Sequence, residues 1–305
     1  MKLGIMSDRL YIIGGSGFVG KNMVRILHDR YAISVFDKFI DKEYFATYPD
    51  VTCYTMELDK ELISRDLPIP KYIINLASIV TAERDLSLFD AMIQSNLKVL
   101  LNLYERFKED KSLKLFIQFG SSEEYGEIKS PFYESSREEP NSPYALVKQL
   151  TTNTAMMLHR NYAFPIMVVR PGNLFGPLQN KSKFIPYVIE QLRTNQPLNV
   201  TPCEQKRDFI YIDDFIEGIR QILLHSQRAN GEIINIGSGK SISLKNIIEI
   251  CKAELNSKSI INYGALPYRK NEVMDLCCSM DKYFEIIGNN LADDVRLGLQ
   301  KIVKS

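Results

Sequence analysis

Short apolar runs separated by stretches of helical character constrain this chain more than any other feature. "LYII" (Leu10 to Ile13), "AISVFD" (Ala32 to Asp37), "VTCYTM" (Val51 to Met56), "YIINLA" (Tyr72 to Ala77), "LKLFIQF" (Leu113 to Phe119) and "IMVVR" (Ile166 to Arg170) are near-continuous in hydrophobicity rather than alternating. Strands need that pattern when both faces of their sheet are covered, and the intervening segments are long enough for crossover helices. The pattern predicts an α/β fold with a doubly wound parallel sheet in residues 1–170. Beyond Arg170 the loops lengthen. A helix is expected near Lys183 to Thr194, a strand at "RDFIYI" (Arg207 to Ile212) and a helix from Asp213, with helical periodicity again at "NIIEI" and over Met280 to Ile287. Residues 171–305 read as a smaller α/β lobe, with segments returning to the first domain because no clean linker separates the two.

The 305 residues are 45% hydrophobic and 25% charged, which argues for a globular chain and against disorder. Lys and Arg total 38 against 37 for Asp and Glu, so no basic surplus exists to neutralise a nucleic-acid backbone or hold an anionic membrane. A small-molecule partner is expected. The five cysteines lack C-x-x-C spacing and the three histidines lie far from them, so no metal site is expected. The adjacent Cys277 and Cys278 could form a redox pair, but read as buried thiols in a reducing compartment. "MKLGIMSDRLYIIGG" lacks a long apolar core, and no uncharged run nears the roughly 20 residues of a membrane span, so a cytoplasmic location is expected.

The first apolar run leads into "YIIGGSGFVGKNMVRIL", which sets Gly14, Gly17 and Gly20 between the first strand and the first helix. Glycine permits a tight turn and lets backbone N–H groups approach a pyrophosphate, while the helix N-terminus adds partial positive charge. Asp37 ends the second strand 20 residues after Gly17, where a carboxylate can accept hydrogen bonds from the ribose hydroxyls of NAD. A tight turn plus a surface aspartate is the bland alternative; strand, helix and acid in register instead make residues 1–170 an NAD(P)-binding Rossmann domain. Asp37 repels a 2′-phosphate and Lys38 beside it softens that repulsion, so NAD is expected, with NADP as the alternative.

"NSPYALVKQL" carries Tyr144 and Lys148 four residues apart on a helix whose start is marked by Ser142 and Pro143. The spacing puts both on one face. A free tyrosine titrates near 10, but a neighbouring ammonium and a positively charged nicotinamide favour its phenolate, which would make Tyr144 an acid/base. By itself such a pair is usually only a surface pair. "FGSSEEYG" adds weight, because it begins where the fifth strand should end, and ligands of open parallel sheets bind beyond the carboxyl ends of strands. Ser121 would hydrogen-bond a sugar oxygen, and Glu123 would be a second acid/base or a hydroxyl ligand. Ser122 and Glu124 read as caps of the next segment.

"GGSGFVG", Asp37, "NLAS", "GSSEEYG", "PYALVK", "RPGNLFGP" and "KRDFIYIDD" occur in the order found in extended short-chain dehydrogenases/reductases acting on nucleotide sugars, and the resemblance covers nearly the whole chain. It implies a Ser121, Tyr144, Lys148 triad. It also implies that Phe18 and Val19 offer backbone amides to the pyrophosphate, that Leu76 and Ala77 line the cofactor cleft, and that Pro171 sits near the nicotinamide. Glu57 and Leu58 take the place of a usual Asp and apolar residue beside adenine. Asn75 stands for a frequent His, read as structural, and Asn96 matches an asparagine that supports the active-site region. In the second lobe, Arg207 and Arg269 match arginines that meet a nucleoside diphosphate, for which forked guanidinium donors suit phosphate oxygens; ordinary surface charges are the alternative. Asn173 resembles a substrate-binding asparagine.

Reaction type is read from the same likeness. "GSSEEYG" resembles GDP-6-deoxy-4-ketomannose reductases, while "KFIPYVIEQL", "EQKRDFIYIDDF" and "YGALPYRKNEVM" resemble CDP-sugar 4-ketoreductases of the abequose synthase type. Both imply reduction at C4 of a nucleotide-linked 4-keto-6-deoxyhexose in surface-glycan sugar biosynthesis. A 4-epimerase is the next reading; a 4,6-dehydratase, which needs an additional acid/base such as Glu123, is the third. A non-catalytic dinucleotide sensor is the reading from another class. Relatives often dimerise through two helices per subunit, and "LFDAMIQSNLKVLLNLYERF" with the Tyr144 helix could supply them, so a homodimer is expected, although intramolecular packing gives the same apolar pattern. The usual "W-x-P" near the C-terminus is absent, so the final helix is expected to pack differently.

Overall fold

A computed structural model of the chain describes residues 8–81, 85–288, 291 and 294–304. The start of "MKLGIMSDRL", on which the reading of the N-terminus as leaderless partly rests, lies outside the described residues. The first part of the chain runs β1 (Arg9–Ile13), α1 (Phe18–Leu27), β2 (Ala32–Asp37), α2 (Lys42–Phe45), β3 (Thr52–Thr55), β4 (Tyr72–Asn75), α3 (Phe89–Ile93), α4 (Val99–Phe107), β5 (Leu115–Phe119), α5 (Pro143–Tyr162) and β6 (Ile166–Pro171). The remainder runs β7 (Asn173–Phe175), α6 (Phe184–Arg193), β8 (Leu198–Val200), β9 (Lys206–Tyr211), α7 (Ile212–Leu224), α8 (Ser226–Ala229), β10 (Ile233–Ile236), β11 (Ser241–Ser243), α9 (Leu244–Glu254), β12 (Ile261–Tyr263), β13 (Asp275–Leu276), α10 (Asp281–Ile287) and α11 (Val295–Lys304).

Seven parallel strands form the main sheet in the order β10-β6-β5-β4-β1-β2-β3. Six of them are the apolar runs read from the sequence, trimmed at their ends. The seventh, β10, comes from far beyond Arg170 and pairs with β6, so the chain does return to the first sheet. Its four residues, with the buried Asn235 among three isoleucines, carry too little pattern to mark a strand before β6 is there to receive it.

Alternate residues of β1 explain why its sequence is apolar throughout. Leu10 and Ile12 enter one buried cluster, with Met23, Val24 and Leu27 of α1 and Phe215 and Ile219 of α7. Tyr11 and Ile13 enter another, with Leu100, Leu103 and Phe107 of α4 and Ala155 and Leu158 of α5. The sheet is thus covered on both faces, as continuous apolar strands require. Truncating one such side chain to Ala costs about 2–5 kcal/mol.

The α5 helix starts where its sequence says it should. Ser142 is the N-cap and its hydroxyl accepts from the Ala145 N–H at 3.1 Å, with Pro143 at the first helical position. Between α3 and α4 the helix widens into a π turn at Gln94–Lys98, within which the buried Asn96 donates to the Met92 carbonyl at 2.9 Å. Met92 in turn packs with Tyr144 and Val147.

Beyond β6, β9 takes β11 on one side and β13 and β7 as further partners, while β8 pairs with β12. The helices expected near Lys183, from Asp213, at "NIIEI" and over Met280 to Ile287 appear as α6, α7, α9 and α10. The final helix lies against β9 and β7: a Cβ on Gly298 would come within 2.8 Å of Phe175 and Tyr211, so only glycine permits this approach.

Candidate active site

The carboxyl ends of β1, β2, β5 and β6 open on one edge of the sheet, and a cleft of ≈ 1110 Å³ runs along that edge past Ile13, Asp37, Phe119 and Pro171. Ligand pockets commonly measure about 300–1,000 Å³, so this one has room for a dinucleotide and a second ligand end to end.

Backbone builds one end of it. Gly14 has φ +71°, and a Cβ there would lie 2.8 Å from the Ala77 N–H, so the turn after β1 closes against the end of β4 only as glycine. A Cβ on Gly20 would meet Gly15 at 2.4 Å, which lets α1 seat tightly on the turn. Gly17 differs. A Cβ on it would meet nothing nearer than the Gly14 carbonyl at 3.5 Å, and it faces the cleft as the N-cap of α1 with no side chain capping the helix. The cradle at Gly17 and the amides of Phe18 and Val19 therefore suit a pyrophosphate. Asp37 ends β2 beside them. Its carboxylate accepts from the Ser16 N–H at 2.9 Å and the Phe39 N–H at 3.2 Å, which fixes it while leaving lone pairs toward the cleft.

Leu76 and Ala77 line the middle of the cleft, and Glu57 and Leu58 line the Asp37 end. Glu57 is exposed and ion-paired with Lys60, whose hydrogen bond holds its carboxyl below the usual range. Leu58 is buried, and its carbonyl accepts from Asn102 at 2.8 Å. Asn75 is structural in the literal sense: its amide donates to Gln118 at 2.8 Å across β4 and β5 and accepts from the Ala77 N–H at 3.2 Å.

Side chains build the other end. After β5 the chain turns into a short 3-10 helix over Ser122–Tyr125, capped reciprocally: the Ser121 hydroxyl accepts from the Glu123 N–H at 3.1 Å, and Glu124 accepts from the Ser121 N–H at 2.8 Å. Glu124 therefore caps as expected, whereas its partner in the capping box is Ser121 rather than Ser122. Gly126, at φ +65°, closes the segment so tightly on Glu139 that a Cβ would overlap its carbonyl at 1.7 Å. Ser121, Glu123, Tyr144 and Lys148 all reach the cleft.

Tyr144 and Lys148 lie side by side on α5, as the spacing predicts, and Lys148 is held by a distant carbonyl. Its Nζ donates to the Phe119 carbonyl at 2.9 Å and lies 5.9 Å from the centre of the Tyr144 ring. Burial pulls Lys148 down to about 8, with the Glu124 carboxylate opposing. Burial pushes the Tyr144 phenol up, the Glu123 carboxylate pushes it further, and a hydrogen bond with Ser121 works the other way. The chain's own surroundings thus favour the protonated phenol, whereas the expected phenolate also depends on a positively charged nicotinamide.

Pro171 at the end of β6 and Asn173 at the start of β7 reach the cleft, joined by Gln179, Asn180 and Lys183, three residues that the sequence reading did not select. Lys183 immediately precedes α6, and that position was the available signal. Arg207 and Arg269 do not line the cleft. The Arg207 guanidinium is committed to the carbonyls of Lys206 at 2.7 Å and Val273 at 2.6 Å and to the Glu272 carboxylate. Burial lowers its pKa while Glu272 and then Glu123 oppose, and the Arg269 charge also lowers it, so the two arginines and Glu123 share one electrostatic neighbourhood. Arg269 is exposed.

Sheet, glycine turn, carboxylate and cleft define a dinucleotide-binding α/β protein of Rossmann type. The chain belongs to the NAD dependent epimerase/dehydratase family, an enzyme family whose profile matches residues 10–237. CDP-abequose synthase of Salmonella muenchen is 41% identical over 107 residues, which are 35% of this chain and 36% of that protein. The dTDP-4-dehydro-6-deoxyglucose reductase of Escherichia coli is 26% identical over 267 residues, 83% of each chain. Among solved structures, UDP-N-acetylglucosamine 4-epimerase from Methanobrevibacter ruminantium M1, in complex with UDP-N-acetylmuramic acid, matches with a TM-score of 0.89 at 24% identity and covers 98% of both chains. That likeness shows the fold. No helix among the described residues is long and apolar enough to cross a membrane.

Proposed function

We propose that the chain is an NAD(P)-dependent nucleotide-sugar oxidoreductase that reduces C4 of a nucleotide-linked 4-keto-6-deoxyhexose, a step of surface-glycan sugar biosynthesis. The observation that carries the reading is the gathering of Ser121, Tyr144 and Lys148 in the same cleft as the glycine turn and Asp37. A reduced nicotinamide held there would supply the hydride. Tyr144, protonated by its surroundings, gives its proton to the C4 oxygen as charge develops on it, and the Ser121 hydroxyl orients that oxygen. Lys148 holds positive charge behind them while fixed to the Phe119 carbonyl. Asn173, which lines the cleft, binds the sugar.

One observation supports reduction over its alternatives. The relatives named above include a 4-keto sugar reductase aligned over most of this chain. Glu123, exposed in the cleft and close enough to raise Tyr144, supports 4,6-dehydration as a second reading, because that reaction also needs a base for the C5 proton. We propose a homodimer through α4 and α5, which leave Leu101, Leu146 and Leu150 exposed. The deciding experiment is a panel of nucleotide-linked 4-keto sugars offered with NADH and NADPH, followed by product NMR. Reduction predicts stoichiometric oxidation of the cofactor and a new C4 alcohol; sugar conversion with no net cofactor consumption would overturn it.

A further inference from the structure

We propose that Glu124 is a positioning residue of this reaction: its buried carboxylate, anchored on Arg170, locks the end of β5, so that Ser121 and the carbonyl that holds Lys148 keep their places beside Tyr144. The inference rests on the reading that Ser121, Tyr144 and Lys148 carry the chemistry.

This one side chain holds the two residues that follow β5, next to the one that holds Lys148. An oxygen of Glu124 accepts from the Ser121 N–H at 2.8 Å, and it lies so close to Gly120 that a Cβ there would come within 2.4 Å of it. Phe119, next in line, offers the carbonyl that holds Lys148 at 2.9 Å. The carboxylate is itself held from behind. Its other oxygen accepts from the Arg170 Nε at 2.9 Å, Arg170 also pairs with Glu138, and its guanidinium lies 4.6 Å from the Tyr125 ring centre. Glu124 and Arg170 are both fully buried.

A buried pair of this kind is a poor device for stability alone, since packed apolar side chains of the same volume serve as well or better. The surrounding charges indicate what else it does. Arg170 comes from β6, Glu138 from the loop before α5, Glu123 from the 3-10 turn and Lys148 from α5, while α3 brings the apolar Phe89, Met92 and Ile93 and the π turn brings Asn96. Glu124 and Glu138 both pair with Arg170, and Glu134 lies in its field, whereas of these carboxylates only Glu124 acts on Lys148. Without Glu124 the buried Lys148 ammonium loses its opposing charge, and a buried lysine, unlike arginine, gives up its proton readily. The Glu124 carboxylate is the one charge that opposes the desolvation of Lys148.

Glu124→Gln and Glu138→Gln separate this role from a merely structural one, because both unbalance Arg170 but only the first contacts Ser121 and acts on Lys148. In full-length protein with isotopically labelled lysine, the titration of Lys148 is followed by heteronuclear NMR, its signal assigned with Lys148→Met. In Glu124→Gln, Lys148 should titrate below its wild-type value of about 8. Turnover at pH 8 should fall roughly fivefold while turnover at pH 6 is largely kept, as expected for loss of a required ammonium. Glu138→Gln should lose stability and leave the Lys148 titration in place. An unmoved Lys148 in Glu124→Gln, or an equal shift in both variants, overturns the proposal. Should Glu124→Gln fail to fold, Glu124→Asp keeps the charge on Arg170 but withdraws it from Ser121. It should lower turnover at every pH with Lys148 still titrating near its wild-type value, and unchanged turnover refutes the positioning. The NMR titration needs no substrate, so its result stands apart from whether the wild-type protein reduces any nucleotide-linked sugar.

Discussion

The two ends of the cleft are built from different materials. At the Asp37 end the chain uses backbone: three glycines, a helix N-terminus and one carboxylate tied to two amides. At the Tyr144 end it uses side chains delivered by β5, its 3-10 turn and α5, backed by the buried Glu124 and Arg170. A backbone site tolerates change in most nearby side chains and fails when a Cβ appears in the wrong place. A side-chain site fails one functional group at a time, and its groups sit under electrostatic tension that the fold must absorb. Substitutions at the two ends should therefore fail differently.

The largest effect is expected from Tyr144→Phe, which removes the proposed proton donor and leaves the ring. Turnover should drop by on the order of 10²–10⁴, while NADH affinity, measured by fluorescence titration, stays at the wild-type value. Loss of NADH binding would show that the two ends are not separable.

Lys148→Met should also disable turnover, yet raise the thermal midpoint at pH 7. The folded state holds Lys148 near 8, below its ordinary 10.5, so between those values the unfolded chain binds more protons. Stability must then rise with pH across that window, and at lower pH the buried ammonium is a standing cost. Replacing it with methionine should gain a few degrees, on the order of 2–5 °C, and the gain should shrink as the pH approaches 10.5. Calorimetry at several pH values checks the sign; a destabilised Lys148→Met at pH 7 would contradict it.

The glycine end gives an internal contrast. Gly14→Ala places a Cβ at φ +71° and 2.8 Å from backbone, which should cost about 1–2 kcal/mol from the left-handed conformation alone, seen as a lower midpoint. Gly17→Ala meets no contact nearer than 3.5 Å, so it should fold normally and lose NADH affinity only. The smallest effect belongs to Lys60→Ala. Its exposed pair with Glu57 should leave the thermal midpoint unchanged and NADH affinity within roughly twofold; a larger loss would mean that Glu57 needs its partner to meet adenine.

Much of the Asp37 end was legible in sequence because it depends on local rules. A glycine needed for a positive φ, a helix start and an acid at a strand end are all neighbours along the chain, and Gly14, Gly17, Gly20 and Asp37 could be placed from spacing. The Tyr144 end was legible only in part. Spacing put Tyr144 and Lys148 on one helical face, but nothing local told that Lys148 would be anchored by the Phe119 carbonyl, 29 residues away in sequence. The role of Glu124 was read correctly as a cap, and its burial against Arg170 was not, because an isolated "EE" looks like a solvated turn.

Arg207 shows the same limit in the second lobe. Its place in "KRDFIYI" resembles that of a diphosphate-binding arginine, whereas the fold occupies its fork with Val273 and Glu272, which lie more than 60 residues further on.

Sequence by itself determined which segments become strands of the main sheet, where α5 begins and where the glycine turn must bend, because apolar periodicity, capping and left-handed glycine act over a few residues. Tertiary structure decided the seventh strand, the partner of Lys148, the upward pull on the Tyr144 phenol and the burial of Glu124 with Arg170. Those outcomes depend on desolvation and on hydrogen-bond partners drawn from distant parts of the chain, and neither exists until the sheet has closed its core.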